Sequence, residues 1–433
     1  MKDKRFNKNR LRLHYLLVVC IIIITCGCNV VNTDKEMTHY VYEKPGQLLG
    51  FNQMISESKE DQDSIEDSIL KQKIKNSTTE TVQPSLQPTP EKKKVNKVTL
   101  LAVGDDLIHV QLIENAKQKD GSYNFNHMFE EIKTEVAEAD IAVINQETIF
   151  AGKNVAYAGY PRFNSPKEVG DAVVNAGFDV VLHATNHALD KGEKGLENTI
   201  EYWKTKKKIT VLGVNESKKE QDTVKIVEKN GIKIAMLNYT YSLNGLRLAK
   251  SKSYMVNMLE EKQIKKDIDR AKKIADFIIV YPHWGTEYSY EPSSLQKKWT
   301  KFFVEEEVDL VIGSHPHVLE PVEWLEAKNG HKTLVYYSLG NFISYQRKTP
   351  RMLGGMAKVT LEQEEGGEVR ISEASITPLV THFANNTKDS VITYRLEDYS
   401  KELAKEHKLA NEDGLTLKRL KKLAKKVLGN WYE

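Results

Sequence analysis

Acidic, amide and imidazole side chains recur in short polar motifs, and each motif stands where an apolar, strand-like run ends. The motifs are Gly104-Asp105-Asp106-Leu107-Ile108-His109, Asn145-Gln146-Glu147, Ala184-Thr185-Asn186-His187-Ala188-Leu189-Asp190, Pro282-His283-Trp284-Gly285-Thr286-Glu287 and Gly313-Ser314-His315-Pro316-His317. Oxygen and imidazole ligands suit divalent ions such as Mn²⁺, Zn²⁺ or Fe²⁺. Two such ions, roughly 3.5–4 Å apart, can hold the attacking and the leaving oxygen of an in-line displacement. The pattern is therefore typical of a two-metal hydrolytic site.

The histidines carry most of this signal. His315 and His317 flank a proline, so on an extended segment both rings lie on one face and can address one metal centre. His283, with Glu287 four residues later, adds an imidazole and a carboxylate that can orient a ligand ring. His183, which precedes the Asn-His pair, is interpreted instead as a buried, hydrogen-bonded histidine. Half of the twelve histidines lie in or beside the motifs, which favours one shared site.

The order of the predicted elements explains how the motifs would meet. Apolar runs typical of buried strands cover residues 98–103, 141–144, 180–182, 210–214, 232–237, 277–281, 310–312 and 334–337. The clearest helical patterns between them cover residues 167–176, 194–207, 259–275 and 294–306. This alternation favours an α/β core with helices on both faces. Since ligands of open α/β sheets bind outside the carboxyl ends of the strands, the five motifs are expected to converge.

Two hairpins are predicted from turn signals. Residues 223–228 and 233–237 are joined through Asn230-Gly231, the dipeptide that tight hairpin turns prefer. Residues 356–362 and 369–376 are joined through Gly366-Gly367. Hairpins within an otherwise parallel pattern indicate sheets of mixed direction.

Residues 1–31 predict export. A basic segment precedes an uncharged run from Tyr15 to Val31, as in a signal peptide or membrane anchor. Gly27-Cys28 resembles a lipoprotein processing site, and an uncleaved anchor and a cleaved signal with secretion are the alternatives. Residues 32–96 are polar and charged and predict a flexible spacer. We therefore expect the protein at the cell membrane, on its extracytoplasmic face.

Cysteine content and net charge exclude several classes of site. Cys20, Cys26 and Cys28 all lie in the N-terminal segment, so the rest of the chain has neither a disulfide nor a thiolate metal ligand. A formal net charge of +3 over 433 residues is too small to indicate nucleic-acid binding.

Residues 386–433 predict a basic helical C-terminal tail. Its last helix combines an apolar stripe with many lysines. Such a helix either touches anionic lipid or a polyanion or packs on the protein through its apolar stripe. We favour packing.

Together the motifs resemble the CapA family, the bacterial capsule or poly-γ-glutamate synthesis proteins, which is similar in turn to calcineurin-like metallophosphatases. The resemblance covers about residues 98–380 and includes Tyr337-Ser338-Leu339-Gly340-Asn341-Phe342. It implies that residues 97–385 form an α/β domain, a four-layered metallophosphatase-like sandwich of two mixed β-sheets flanked by helices. It also implies two divalent metal ions, and association with membrane proteins that synthesise or export an anionic polymer such as poly-γ-glutamate.

The resemblance also implies roles for individual residues. The implied metal ligands are Asp105, Glu147, Asn186, His283, His315 and His317. Glu147 would bridge the two ions. Asp105 and His317 would hold the first ion, Asn186 and His315 the second, and His283 one of the pair.

His187 would stand beside the leaving group as an acid or a charge stabiliser, and Asp190 belongs to the same catalytic motif. Leu107 occupies the place where metallophosphatases carry a histidine two residues after their first aspartate. Two functions fit these residues. The first is a metal-dependent hydrolase acting on a phosphoester, or on an amide or isopeptide bond. The second is a non-catalytic component that binds the polymer or its synthase.

Overall fold

Fourteen strands and ten α-helices form within the described part of this computed structural model, which comprises residues 95–384 and 390–432. The strands are β1 Val95–Leu107, β2 Ile141–Gln146, β3 Val180–Leu182, β4 Thr210–Leu212, β5 Lys225–Lys229, β6 Ile232–Thr240, β7 Phe277–His283, β8 Leu310–Ile312, β9 Val322–Glu326, β10 Lys332–Tyr336, β11 Asn341–Ser344, β12 Leu353–Glu364, β13 Val369–Phe383 and β14 Val391–Arg395.

The α-helices are α1 Val110–Ala116, α2 Lys133–Glu138, α3 Glu168–Ala176, α4 Gly192–Lys204, α5 Lys218–Gln221, α6 Glu261–Ala271, α7 Ser294–Glu305, α8 Lys401–Glu406, α9 Leu409–Glu412 and α10 Leu417–Leu428. Short 3₁₀ helices cover Asn126–Ile132, Lys250–Met255, Thr349–Met352 and Gly429–Trp431.

The strands form two mixed sheets. The first has the order β14-β13-β12-β1-β2-β3-β4, with β11 also paired to β1. Within it, β1 to β4 run parallel, whereas β12, β13 and β14 join through antiparallel pairs. The second sheet has the order β5-β6-β7-β8-β10-β9, with a parallel centre and antiparallel edges.

The second sheet buries both faces, as alternation along β6 shows. Ile234 and Met236 join the large apolar cluster that contains the first sheet. Ala235 and Leu237 belong to a separate cluster with apolar residues of α6 and α7. Successive side chains of a strand point to opposite faces, so one face packs toward the first sheet and the other on helices. The predicted α/β fold, four layers with two mixed sheets flanked by helices, is confirmed.

Most predicted elements form with small shifts at their ends. The Asn-Gly hairpin is β5–β6, and Asn230 and Gly231 both have positive φ, 50° and 84°, as this turn requires. The second hairpin is β12–β13. The short strands β9 and β11 were not predicted, because neither stands out as an apolar run.

The C-terminal region contributes to the first sheet. β14 pairs antiparallel with β13, so the boundary predicted at residue 385 falls between two paired strands. Leu420, Ala424 and Leu428 of α10 are buried in the large apolar cluster. The last helix therefore packs through its apolar stripe, and its lysines lie on the remaining faces.

The predicted signal or anchor segment, residues 1–31, and the predicted spacer as far as residue 94 lie outside the described residues. β1 begins at Val95, two residues before the predicted start of the domain. Across the described residues no helix is both long enough and apolar enough to cross a bilayer.

Candidate metal centre

The site lies where the carboxyl ends of strands from both sheets meet. In the first sheet, Asp105 lies near the end of β1 and Glu147 directly follows β2. In the second sheet, His283 ends β7, and an isolated bridge joins it to Ser314, just after β8. Each sheet thus supplies part of the ligand set, as expected for parallel strands with polar residues at their ends.

Gly104 permits a close approach that shapes the site. A Cβ at this position would lie 1.9 Å from the carbonyl oxygen of Gly340. Without it, the Asp105 N–H donates to that carbonyl at 2.9 Å. The contact brings Asn341 beside His317, with 3.1 Å between Oδ1 and Nδ1.

Glu147 belongs to two separate groups of ligand atoms. One group combines Glu147 with Asp105 and His317, and the other combines Glu147 with His283 and His315. Within each group the atoms lie within 4.8 Å of one another, and all five residues are buried. The structure therefore brings together five of the six predicted metal ligands around one carboxylate.

The surroundings of Glu147 fit cations. Its side chain is fully buried, and neither oxygen has a hydrogen-bond partner. His283 Nε2 and His187 Nε2 lie 3.6 and 4.0 Å from Oε1, and His317 Nδ1 lies 3.8 Å from Oε2. Burial would raise the pKa of Glu147, but His317 and the other imidazoles hold it well below its usual range. A buried, unpartnered carboxylate is costly unless it meets a proton or a cation, so this donor set fits metal ions.

Asp105 holds the first group together. Its carboxylate accepts from Asn145 Nδ2 at 2.8 Å and from the His315 N–H at 3.3 Å. His317 Nδ1 lies 3.0 Å from Asp105 Oδ2. Burial alone would lower the pKa of His317, but Glu147 and Asp105 raise it to about 9.

Asn186, the sixth predicted ligand, lies beside the second group. Its Oδ1 is 2.9 Å from His283 Nε2, while His283 Nδ1 contacts Ser314 Oγ at 2.9 Å. His315 Nδ1 is buried without a partner, and burial together with neighbouring imidazoles lowers the pKa of His315 well below its usual value. A neutral imidazole with a free nitrogen is a ready metal ligand.

The prediction that His315 and His317 lie on an extended segment is wrong. Their φ angles are 99° and 58°, in the left-handed region that non-glycine residues rarely adopt. The chain turns sharply after β8, so the two rings reach different groups around Glu147. Such backbone strain persists only where the surrounding structure enforces it, and it concentrates at functional sites.

His187 and Asp190 form a pair at the edge of the metal groups. His187 Nδ1 lies 2.8 Å from Asp190 Oδ2, which also accepts the Phe163 N–H at 2.6 Å. Because a carboxylate only accepts, Asp190 fixes the proton of His187 on Nδ1 and leaves Nε2 facing Glu147. The Phe163 ring packs edge-on against His187, with ring centroids 4.7 Å apart.

Two other histidines near the motifs are not part of the metal groups. His183 is fully buried, accepts a hydrogen bond from Trp203 Nε1 at 2.6 Å, and has a pKa lowered by burial to about 3. The interpretation of His183 as a structural histidine is confirmed. His109 turns to the backbone, with Nδ1 2.9 Å from the Leu107 carbonyl. Glu287 is exposed, and a carboxylate oxygen of this residue lies within 4.8 Å of a ring nitrogen of His315 and of His317.

The sequence did not single out the loop after β6. Asn244 Oδ1 accepts from Asn186 Nδ2 at 3.3 Å, and Asn244 Nδ2 lies 3.5 Å from His187 Nδ1. The Tyr241 ring packs against His315 with centroids 4.8 Å apart. The available signal was Asn244-Gly245 shortly after the carboxyl end of a buried strand.

Comparison with known proteins places this site in a family. Residues 99–346 match the family described as bacterial capsule synthesis protein PGA_cap. The chain belongs to this family. The predicted resemblance to CapA proteins is thereby confirmed.

Two curated relatives of this PGA_cap protein are CapA proteins. The capsule biosynthesis protein CapA of Bacillus anthracis is 31% identical over 273 residues, which cover 60% of this chain and 64% of the relative. The PGA biosynthesis protein CapA of Bacillus subtilis (strain 168) is 30% identical over 249 residues, 54% of this chain and 63% of the relative. The match thus spans a little less than two thirds of each relative.

Among solved structures, the PGA_cap chain is similar to a putative 5'-nucleotidase from Staphylococcus aureus. The TM-score is 0.44 at 16% identity, covering 65% of this chain and 54% of that one. A similarity this low carries no information on activity.

Proposed function

We propose that this PGA_cap protein is a metal-dependent hydrolase with two divalent ions, Mn²⁺, Zn²⁺ or Fe²⁺. It acts at the extracytoplasmic face of the cell membrane in the synthesis or export of an anionic capsule polymer such as poly-γ-glutamate. Its partners there are the membrane proteins that make the polymer. The observation that carries the metal proposal is Glu147, shared between two ligand groups. The described functions of the CapA relatives support the place in capsule synthesis.

In this proposal the ligand groups divide between the two ions. Asp105, Glu147 and His317 would hold the first, and Glu147, His283 and His315, with Asn186 beside them, the second. When bound, the two ions would supply Lewis-acid polarisation of substrate oxygens and activation of the attacking water. Oxygen and imidazole donors are compatible with each of the three metals.

The residues of the chain supply proton transfer and exclusion of water. Asp190 stabilises the imidazolium form of His187 by accepting from Nδ1–H. The Nε2–H of this imidazolium points toward the metal groups and passes its proton to the leaving atom, the oxygen of a phosphoester or the nitrogen of an amide, as the bond from that atom to the phosphoryl or acyl group breaks. Phe163 covers one side of the ring and shields it from solvent. A phosphoester is the substrate class that this arrangement favours, and the amide or isopeptide bond of the polymer is the second.

Metal analysis and activity assays of the purified protein test the proposal. We expect two divalent ions per chain and turnover of p-nitrophenyl phosphate or of poly-γ-glutamate. His315→Ala should abolish turnover. His331→Ala is the matched control, because it removes a partly exposed imidazole whose Nε2 contacts the Val308 carbonyl and not the site.

Two outcomes would contradict the proposal. A folded protein without bound metal after reconstitution would remove the enzyme function and favour a component that binds the polymer or its synthase. A strain carrying His315→Ala that still makes normal amounts of polymer would show that catalysis at this site is not its physiological role.

A further inference from the structure

A cavity of about 300 Å³ adjoins the His187–Asp190 pair, and none of the predicted metal ligands lines it. It lies between the turn that carries Asp190 and two loops, one after β2 and one after β6. Its walls include two arginines, two leucines and two carboxylates, namely Arg162, Arg247, Leu189, Leu246, Asp190 and Glu193. The shared wall at Asp190 places the cavity next to the proposed proton donor.

The two arginines give this cavity its charge. Arg162 and Arg247 are exposed, and neither forms an ion pair or a hydrogen bond with any residue in the described ranges. Of the two carboxylates, Glu193 pairs with Lys252 at 2.9 Å. Asp190 Oδ2 accepts from His187 and from the Phe163 N–H, whereas Asp190 Oδ1 is buried without a hydrogen-bond partner. Two unpaired guanidinium groups thus face one carboxylate, and the net charge of the cavity wall is positive.

Both arginine-bearing loops are attached to the proposed catalytic residues. Arg162 directly precedes Phe163, whose N–H donates to Asp190 at 2.6 Å. Arg247 lies three residues after Asn244, which contacts both Asn186 and His187. The backbone near each guanidinium is thus fixed relative to His187, although the side-chain ends remain exposed. A ligand held by the arginines would be positioned with respect to the metal centre.

We propose that this cavity binds an anionic oxyanion group of the substrate, a carboxylate or a phosphate, away from the bond that is cleaved. Guanidinium groups form paired hydrogen bonds to either oxyanion. Leu189 and Leu246 offer apolar surface to an aliphatic segment beside the anionic group. The inference rests on the proposed function for its link to catalysis, but the binding itself requires only the two arginines.

Equilibrium binding to full-length protein tests this site. The probes are a fluorescent γ-linked glutamate pentamer, its counterpart in which every α-carboxylate is replaced by a carboxamide, and inorganic phosphate. Arg162→Gln/Arg247→Gln should weaken binding of a charged probe about tenfold, and Arg162→Lys/Arg247→Lys should weaken it less, because the positive charges are kept. Lys207→Gln/Lys208→Gln is the control, because it removes two exposed charges just beyond the opposite end of α4.

The three probes separate the sources of the oxyanion. Arginine-dependent binding of the glutamate pentamer, with none of its carboxamide counterpart, supports a carboxylate ligand. Arginine-dependent binding of phosphate supports a phosphate ligand. If Arg162→Gln/Arg247→Gln binds every probe with the same affinity as the control Lys207→Gln/Lys208→Gln, the site does not exist. If binding depends on the arginines but the protein shows no hydrolytic turnover, the anion-binding site is supported and only the proposed hydrolase function is overturned.

Discussion

Asp190→Asn is expected to slow turnover without removing metal. The Asp190 carboxylate accepts two hydrogen bonds, from His187 Nδ1 at 2.8 Å and from the Phe163 N–H at 2.6 Å. Both bonds end on Oδ2, so an amide oxygen in its place can accept both, but the charge that stabilises the His187 imidazolium is lost. A hydrogen bond to a charged group contributes about 1.5–3 kcal/mol, against about 0.5–1.5 kcal/mol for a neutral one. Loss of the difference in the transition state, about 1–1.5 kcal/mol, slows the reaction roughly 5- to 12-fold.

The assay is hydrolysis of p-nitrophenyl phosphate by metal-loaded protein, with the metal content of each sample measured in parallel. Asp171→Asn is a matched control, since Asp171 also accepts a hydrogen bond, from the Tyr202 hydroxyl at 2.9 Å, but lies on α3 away from the site. The reasoning fails if Asp190→Asn turns over within twofold of the unaltered protein. It also fails if the metal content of Asp190→Asn falls by the same factor as its turnover rate, because Asp190 would then act by keeping the metal ligands in place.

Three further predictions concern metal content and stability. Glu147→Gln should reduce bound metal from two ions to at most one, measured by elemental analysis, because one carboxylate serves both ligand groups; two retained ions would exclude the bridging role. Leu420→Ala should lower the free energy of unfolding by about 2–5 kcal/mol, because Leu420 is fully buried, whereas Lys421→Ala should change it by less than about 0.5 kcal/mol; equal effects would show that α10 does not pack on the core. Burial lowers the pKa values of His382 and His407 to about 4 and about 3. The unfolded chain therefore takes up protons first, and the free energy of unfolding falls as the pH drops below about 6.5, by about 2 kcal/mol per histidine between pH 7.5 and 5. In urea unfolding, His407→Gln should remove about half of this pair's contribution, and an unchanged pH dependence would argue against a neutral buried His407.

The metal centre shows how much of the candidate site could be predicted from the sequence. Four predicted ligands meet around Glu147, the fifth, because each lies at or shortly after the carboxyl end of a parallel strand. Such strand ends are recognisable in the sequence as apolar runs that stop at polar residues. The sequence could not assign His283 to one of the two ligand groups. Its neighbour Ser314 comes from the next strand of the second sheet, 31 residues away, and only strand pairing brings the two together.

Residues that act through long-range contacts were missed for the same reason. Asn244 lies 58 residues from Asn186, in a loop with no apolar pattern of its own. Arg162 follows a strand of the first sheet and Arg247 a strand of the second. They line one cavity only because the packing of the two sheets brings their loops together. Arginines on polar loops are common, so their types and spacing carried no signal.

The sequence by itself determined the α/β alternation, the Asn230-Gly231 turn and the ligand-bearing strand ends, because these depend on periodicity and local backbone preference. Tertiary structure alone decided that His283 joins the group of His315 and that β14 completes the first sheet. It also set the left-handed backbone at His315 and His317, which no local preference favours. These features depend on how two sheets pack face to face, and that packing is set by the summed burial of many apolar side chains along the chain, which no single motif encodes.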